Sequence, residues 1–274
     1  MALDLAQYVF ASLGQLRFHP TAKRIRAFTG TEVVVDSAKA WLVWEPGRIV
    51  PSFAVPVDDI RGSLLESPPA AADDAVRPGD GLAVLDPRTH FSLHTAPGQA
   101  FDVATDRSIL AAAAFVPNDP DCEGRAILDF EAFDEWREED ELLVGHARDP
   151  FKTVDTRRSS RRVTVEIAGT TVADSIRTTI LFETFLPTRY YFVPADVRMD
   201  LLERSGTVSV CAYKGHANYW SANIGGVGVK DVAWSYEGPH NYATAVRGML
   251  SFFNERVDLY VDGVHLETPR TRWS

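Results

Sequence analysis

Val172-Ala173-Asp174-Ser175 and, earlier in the chain, Val34-Val35-Asp36-Ser37 close two stretches that overlay at one constant offset: 174 − 36, 183 − 45 and 194 − 56 all equal 138. The overlay starts with Arg162-Val163-Thr164 on Arg24-Ile25-Arg26. It continues through Leu181-Phe182-Glu183 on Val43-Trp44-Glu45 and reaches Val193-Pro194 on Val55-Pro56. A self-match of this length predicts a tandem duplication, so a reading of one copy applies to the other. In each copy a β-branched run, a turn at Gly30 or Gly169 and a second run ending in Asp-Ser read as a β-hairpin. A third run, 41–44 or 178–182, closes on a glutamate, Glu45 or Glu183.

Beyond Pro56 and Pro194 the pieces 59–66 and 196–203 match after a one-residue slip and read as a short helix. Asp196 would sit at the positive end of its dipole, and Val197 and Leu201, four apart, would form its buried face. Strands are expected over 82–85, 99–103, 126–130 and 141–144 in the first copy. In the second they are expected over 208–212, 217–222, 227–236, 248–253 and 257–261, with turns at Lys214-Gly215 and Gly225-Gly226. Residues 67–79 read as a proline-rich loop, and the acidic run Glu135, Glu138, Glu139, Asp140, Glu141 as a solvated turn face. The predicted fold class is mainly β: two tandem antiparallel β domains, each with a short helix. The expected division is an N-terminal arm over 1–22, carrying a helical candidate from Leu5 to Leu13, a first β domain over 23–148, a linker over 149–160 and a second β domain over 161–274.

Composition limits the functions open to such a chain. With 274 residues, 45% hydrophobic and 24% charged, it matches a globular protein with room for two cores. A formal charge of −10 repels phosphate backbones and anionic lipid at long range, so neither nucleic acid nor membrane is an expected partner. The two cysteines, Cys122 and Cys211, lie in different halves, which excludes a thiol-rich zinc knuckle and a disulfide framework. The N-terminus has no basic n-region, and no apolar run reaches the roughly 18 residues that span a bilayer. These features predict a cytoplasmic protein.

The chemistry is concentrated in Cys211-Ala212-Tyr213-Lys214-Gly215-His216-Ala217-Asn218-Tyr219-Trp220. Lys214, before a glycine in a tight turn, reads either as a solvated hairpin lysine or as the contact for a small anion. Cys211 is near enough to that charge for a thiolate role, although a cysteine ending a strand also packs as a small apolar group. Glu183 and Glu45 read as carboxylates that need partners: ties to a neighbouring strand, or a general acid or base. The first copy has Pro97 at the place of Lys214 and His94 at that of Cys211, so an anion site or thiol chemistry would belong to the second domain alone. Tyr190, Tyr191, Tyr213, Tyr219, Trp220, Trp234 and Tyr236 enrich that domain in aromatics, and alternation must turn Tyr219 and Trp220 to opposite faces. Cys211, His216 and His240 lack the spacing of a zinc site, and no cofactor is expected. No Gly-x-Ser-x-Gly elbow occurs.

The pieces Val172-Ala173-Asp174-Ser175, Glu183, Leu186-Pro187, Tyr190-Tyr191-Phe192-Val193-Pro194, Asp196-Val197, Cys211-Ala212-Tyr213-Lys214-Gly215, Tyr219-Trp220 and Ala233-Trp234-Ser235-Tyr236 resemble the tandem form of the domain of unknown function numbered 427. That resemblance implies a compact antiparallel β fold similar to the β-tent group, whose cysteine-bound zinc this chain cannot build. A nucleotidyltransferase label also attached to the family would imply a glycine turn followed by paired aspartates holding magnesium. Gly225-Gly226 with Asp231 is the nearest approach and lacks a second aspartate at useful spacing.

Three functional readings follow. The leading one is a second domain that binds a small anionic or aromatic molecule through Tyr191, Cys211, Tyr213, Lys214, Tyr219, Trp220, Trp234 and Tyr236, beside Glu183. The second is an enzyme on the same site, with Glu183 as acid or base and Lys214 as electrostatic stabiliser. The third is a structural or protein-interaction module. Oligomeric state stays open.

Overall fold

The computed structural model describes residues 2–68 and 84–271. It divides into two compact units, Met1–Asp149 and Pro150–Ser274. The first begins with helix α1 (Leu5–Ala11) and continues through strands β1 (Arg17–Pro20), β2 (Ile25–Thr29), β3 (Glu32–Ser37), β4 (Trp41–Trp44), β5 (Ser52–Pro56), β6 (Ser63–Glu66), β7 (Gly98–Ala104), β8 (Ile109–Pro117), β9 (Arg125–Leu128), β10 (Glu135–Glu138) and β11 (Glu141–Leu142). The second holds β12 (Val154–Arg158), β13 (Val163–Ile167), β14 (Thr170–Ser175), β15 (Thr179–Glu183), β16 (Arg189–Phe192), β17 (Leu202–Cys211), β18 (Gly215–Ile224), β19 (Val227–Ser235), β20 (Leu250–Phe252), β21 (Asp258–Val261) and β22 (Val264–His265).

Each unit is a seven-stranded and a four-stranded antiparallel sheet, and the strand orders coincide place for place. The larger sheets run β1-β4-β5-β9-β8-β7-β6 and β12-β15-β16-β20-β19-β18-β17; the smaller run β11-β10-β2-β3 and β22-β21-β13-β14. Local bonds repeat as well. Ser37 Oγ donates to Asp59 and Ser175 Oγ to Asp196, both at 2.6 Å. Arg24 grips Asp36 as Arg162 grips Asp174, each with two guanidinium bonds.

Alternation along the strands gives each larger sheet two buried faces. In the second unit Ile180, Tyr190, Phe192, Ala233 and Phe252 face the smaller sheet and pack on Val163, Val165 and Leu259. Their neighbours Leu181, Tyr191, Trp234 and Phe253 face the other way, where Ala243 and Val246 of a short 3₁₀ segment cover them. The first unit repeats the scheme, with Trp136 fully buried between the sheets and Val43, Ala54, Phe115 and Ile127 on the outer face. Among the described residues no helix is long and apolar enough to cross a membrane.

Several expectations are corrected. The short helix of each copy is not α-helical: single 3₁₀ turns stand at Val57–Asp59, Pro194–Asp196 and Met199–Leu201. Val197 bridges Ala173, and Leu202 already opens β17. The i, i+4 apolar spacing arose from two successive turns rather than one helix. The acidic run is not all turn, because Glu135–Glu138 is a strand paired with β2, with Trp136 buried on its inner side. Part of the span read as linker is β12, an edge strand registered on β15, and the N-terminal arm contains β1, registered on β4. The helical candidate spans Leu5–Ala11 and then tightens to a 3₁₀ turn at Ser12–Gly14. Of the strand expected over 82–85, only residues 84 and 85 are described, and Leu85 forms a bridge with Arg48; the proline-rich loop lies outside the described residues from 69 onward.

Candidate functional site

The outer face of β15-β16-β20-β19-β18 is where the sequence concentrates its polar aromatics. Register places Thr179, Tyr191, Ser251, Trp234 and Tyr219 in one row across five strands. Ser251 separates two large rings, and Trp234 Nε1 donates to the Tyr191 hydroxyl at 3.0 Å with the rings perpendicular. The same row in the first unit reads Trp41, Ala54, Ile127, Phe115 and Ala100, with no hydroxyl in it.

Glu183 lies on this face because it is two residues from Leu181 on β15. Lys214 reaches it from the loop Ala212-Tyr213-Lys214, which joins β17 to β18 with Cys211 opposite Gly215. Gly215 holds φ +90°, in the left-handed region that strains any residue with a Cβ, so this turn favours glycine. The His240 amide donates to the Lys214 carbonyl at 3.2 Å and pins the loop from outside. Lys214 Nζ then donates to Glu183 Oε2, while Lys152 Nζ stands 3.2 Å from Oε1.

The result is one carboxylate between two ammoniums. Glu183 is 8% and Lys214 9% exposed, so Lys214 is not a solvated hairpin residue. Burial alone would raise the Glu183 carboxyl, but Lys214 and Lys152 outweigh it and hold the group below the ordinary carboxylate range. Burial alone would lower the Lys214 ammonium, yet Glu183 raises it above an ordinary lysine. Desolvation pushes the Tyr191 phenol up to about 12 and Tyr236 well above its usual value. At neutral pH the cluster holds an ionised Glu183, an ammonium on Lys214 and two neutral phenols.

A depressed Glu183 contributes stability that is complete above its unfolded value and lost as pH falls through the folded one. A raised Lys214 contributes below its unfolded value and loses its contribution as pH rises through the folded one. The stability difference between wild type and Glu183→Gln should therefore shrink as pH falls below about 5, where the carboxylate is protonated, and also shrink on the alkaline side, because without Glu183 burial lowers the Lys214 ammonium and the variant gains stability as that proton is lost. Urea midpoints across pH measure it; a difference that does not fall on the acid side would contradict the charge assignment.

The other expected residues divide. Tyr236 joins the buried outer-face cluster, and Tyr219 lies beside it, partly exposed, its hydroxyl 2.8 Å from Ser209 Oγ. Tyr213 is buried with Lys152 Nζ 5.4 Å from its ring centre. Cys211 is partly exposed at the end of β17. Trp220 does not belong: it packs with the inter-sheet core, its Nε1 donating to Ser235 Oγ at 3.3 Å, because its neighbour Tyr219 takes the outer face.

Two residues outside the sequence-based set complete the site. Lys152 carried no pattern, since its edge strand was not recognised. Arg189 was legible, because alternation in Arg189-Tyr190-Tyr191-Phe192 puts it on the face of Tyr191. Its guanidinium makes two 2.8 Å bonds to Glu255 and lies 5.5 Å from the Trp234 ring centre.

The first unit keeps the carboxylate and exchanges its partners. Glu45 is 2% exposed and accepts from the amides of Thr95 at 2.9 Å and Ala96 at 3.2 Å, with His94 Nδ1 at 3.1 Å. Arg48 Nε is 3.6 Å away, while its guanidinium ties the carbonyls of His90 and Leu93. Glu45 is thus met by His94 and two amides of the segment before β7 and by one cation, where Glu183 is met by two lysines.

This geometry sits in a recognised sequence neighbourhood. Residues 155–263 match the family model described as Domain of unknown function (DUF427), labelled NTP_transf_9. The second unit is a DUF427 domain. The matched span contains Glu183, Arg189, Lys214 and the whole aromatic row, whereas Lys152 stands just before it. No curated protein matches the chain. The name DUF427 therefore brings a family but no reaction; Asp231, five residues after Gly226, accepts from Thr207 Oγ1 at 2.9 Å within its own sheet.

Proposed function

We propose that the DUF427 domain binds a small anionic molecule at the Lys152–Glu183–Lys214 cluster, with Cys211 and Tyr219 at the partly exposed rim. The observation that carries this reading is the charge count. Two ammoniums share one carboxylate, and the nearby Arg189 is matched by Glu255, so one positive charge is left over in a setting poor in water. An excess charge under cover attracts a counter-ion far more strongly than a surface lysine does. The Lys152 side chain, 22% exposed, supplies the approach.

The charge states weigh against proton transfer. A carboxylate held ionised by two cations is a weak base, and an ammonium raised above the normal range is no nucleophile. An enzyme on this site would use Lys214 for electrostatic stabilisation. A structural reading is favoured by the first unit, where Glu45 ties the same strand end to the segment 94–96 before β7. We read the two units as diverged copies of one domain, supported by their matched strand orders and the repeated Ser–Asp and Arg–Asp bonds, and the protein as cytoplasmic.

Thermal shift with inorganic phosphate, acetate, benzoate and adenosine monophosphate tests the proposal on the full chain. At least one should raise Tm, and Lys152→Met, which leaves the Glu183–Lys214 pair intact, should remove the shift. No stabilisation by any of them, or a shift unchanged in that variant, leaves the structural reading in place.

A further inference from the structure

The outward face of the second unit's smaller sheet presents a different surface. Inward, Val163, Val165, Leu259 and Val261 are buried. Outward, register sets Thr164 between Asp174 and Tyr260, with Tyr260 in turn opposite His265, and places Glu166 opposite Asp258. A concavity of about 480 Å³ opens here, lined by Arg162, Thr164, Glu166, Tyr260, Asp262 and Gly263. It shares no residue with the lysine cluster.

Most of the charges on this face are already matched. Arg162 holds Asp174 at 2.6 Å, Arg161 holds Asp262 at 2.7 Å, and His265 lies 3.3 Å from Asp258. Glu166 takes a long 3.5 Å bond from Thr171 and no ion pair among the described residues. What remains for a ligand is one aromatic face, one carboxylate with spare acceptor capacity, a hydroxyl and the outer N–H groups of an arginine. An anion would meet Glu166, Asp258 and Asp262; a cation would meet Arg161 and Arg162. A neutral molecule with several hydroxyls meets neither obstacle. Its weakly positive C–H face suits the negative face of Tyr260, and its hydroxyls suit Glu166 and Arg162.

The first unit shows the contrast. Its registers put Arg26, Phe28 and Arg137 at the places of Thr164, Glu166 and Tyr260. There the Arg26 and Arg137 guanidiniums lie over the Phe28 ring, 5.9 and 5.4 Å from its centre. The first unit covers its ring with its own arginines, while in the second Tyr260 meets the tilted His265 ring 5.0 Å away and also lines the hollow.

We infer that this face of the second unit is a saccharide-binding site, with Tyr260 as the stacking platform and Glu166 as the main hydroxyl acceptor. Saturation-transfer NMR and titration on the full chain test it, with cellobiose, maltose and N,N′-diacetylchitobiose as neutral probes and agmatine and glucose 6-phosphate as charged ones. At least one neutral disaccharide should bind, and Tyr260→Ala and Glu166→Gln should each weaken it by roughly tenfold, the loss expected for one charge-assisted bond or one stacked ring. Tyr260→Phe should retain most of the affinity. Lys152→Met should have no effect, which separates this site from the anion site. No transfer to any neutral disaccharide, binding only of agmatine or glucose 6-phosphate, or binding indifferent to Tyr260→Ala and Glu166→Gln overturns the inference. Both side chains project from strand surfaces, so the variants should keep the fold, as circular dichroism would verify.

Discussion

Replacing Glu183 by alanine should lower the stability of the second unit by roughly 3–5 kcal/mol, the range for removing one partner of a buried ion pair. The size follows from what stays behind. Lys214, 9% exposed, and Lys152, its side chain 22% exposed, would face each other with no carboxylate between them. Lys214 has little freedom to swing out, because its carbonyl is bonded to the His240 amide and its loop is closed by Gly215. The double change Glu183→Leu with Lys214→Met should recover most of the loss, since a matched apolar pair removes both desolvation penalties. Calorimetry of the second unit's transition measures both variants. A loss below about 1 kcal/mol for Glu183→Ala would mean that the cluster is wet and its ions behave as surface charges.

Much of the fold was legible because strands and their turns are written locally. The Gly225-Gly226 hairpin fell where expected, with both glycines at positive φ between Ile224 and Val227. The constant offset also anticipated that Glu45 and Glu183 would occupy one place in two sheets. What failed was local propensity overruled by register. Arg198-Met199-Asp200-Leu201 has helix-forming residues, yet it makes one 3₁₀ turn before β17 takes over, because the sheet supplies more partners than a helix of that length. The strand Glu135–Glu138 was hidden by its charges; only Trp136 marks an inward face, and Glu138 is neutralised by Lys23, distant in sequence.

The site was legible by residue type and not by partner. Glu183 and Lys214 stand out in the sequence as groups that need partners or a ligand, but which cation would meet which carboxylate depends on strand order, and order depends on contacts far apart in the chain. Lys152 shows this most clearly. Its role appears only once β12 is known to lie against β15 with Val154 opposite Glu183. Trp220 shows the converse, since alternation already required that one of Tyr219 and Trp220 leave the cluster, and only the packed sheets decide which.

Arg189→Ala should have the second large effect, roughly 3 kcal/mol on the second unit. The Arg189 and Glu255 side chains are 8% and 0% exposed and joined by two 2.8 Å bonds, with Thr271 Oγ1 donating to Glu255 at 2.6 Å. Thr271 would still donate to Glu255 in the variant, so the lower end of the range for buried pairs applies. Arg189→Lys should recover only part, because an ammonium cannot make the paired bonds or the flat contact with Trp234 and Phe253. The pH dependence identifies the cause. Burial would raise the Glu255 carboxyl, but Arg189 and Thr271 together hold it below the ordinary range, so its contribution is complete above the unfolded value and is lost as pH falls through the folded one. Without Arg189 the cost of burying the carboxylate prevails and the folded value rises. The variant should then lose stability as pH increases from acid toward neutral, where the wild type gains it. Urea midpoints of both proteins between about pH 3 and pH 7 decide the matter. Parallel curves would show that Arg189 supports the aromatic cluster through packing and not through its charge.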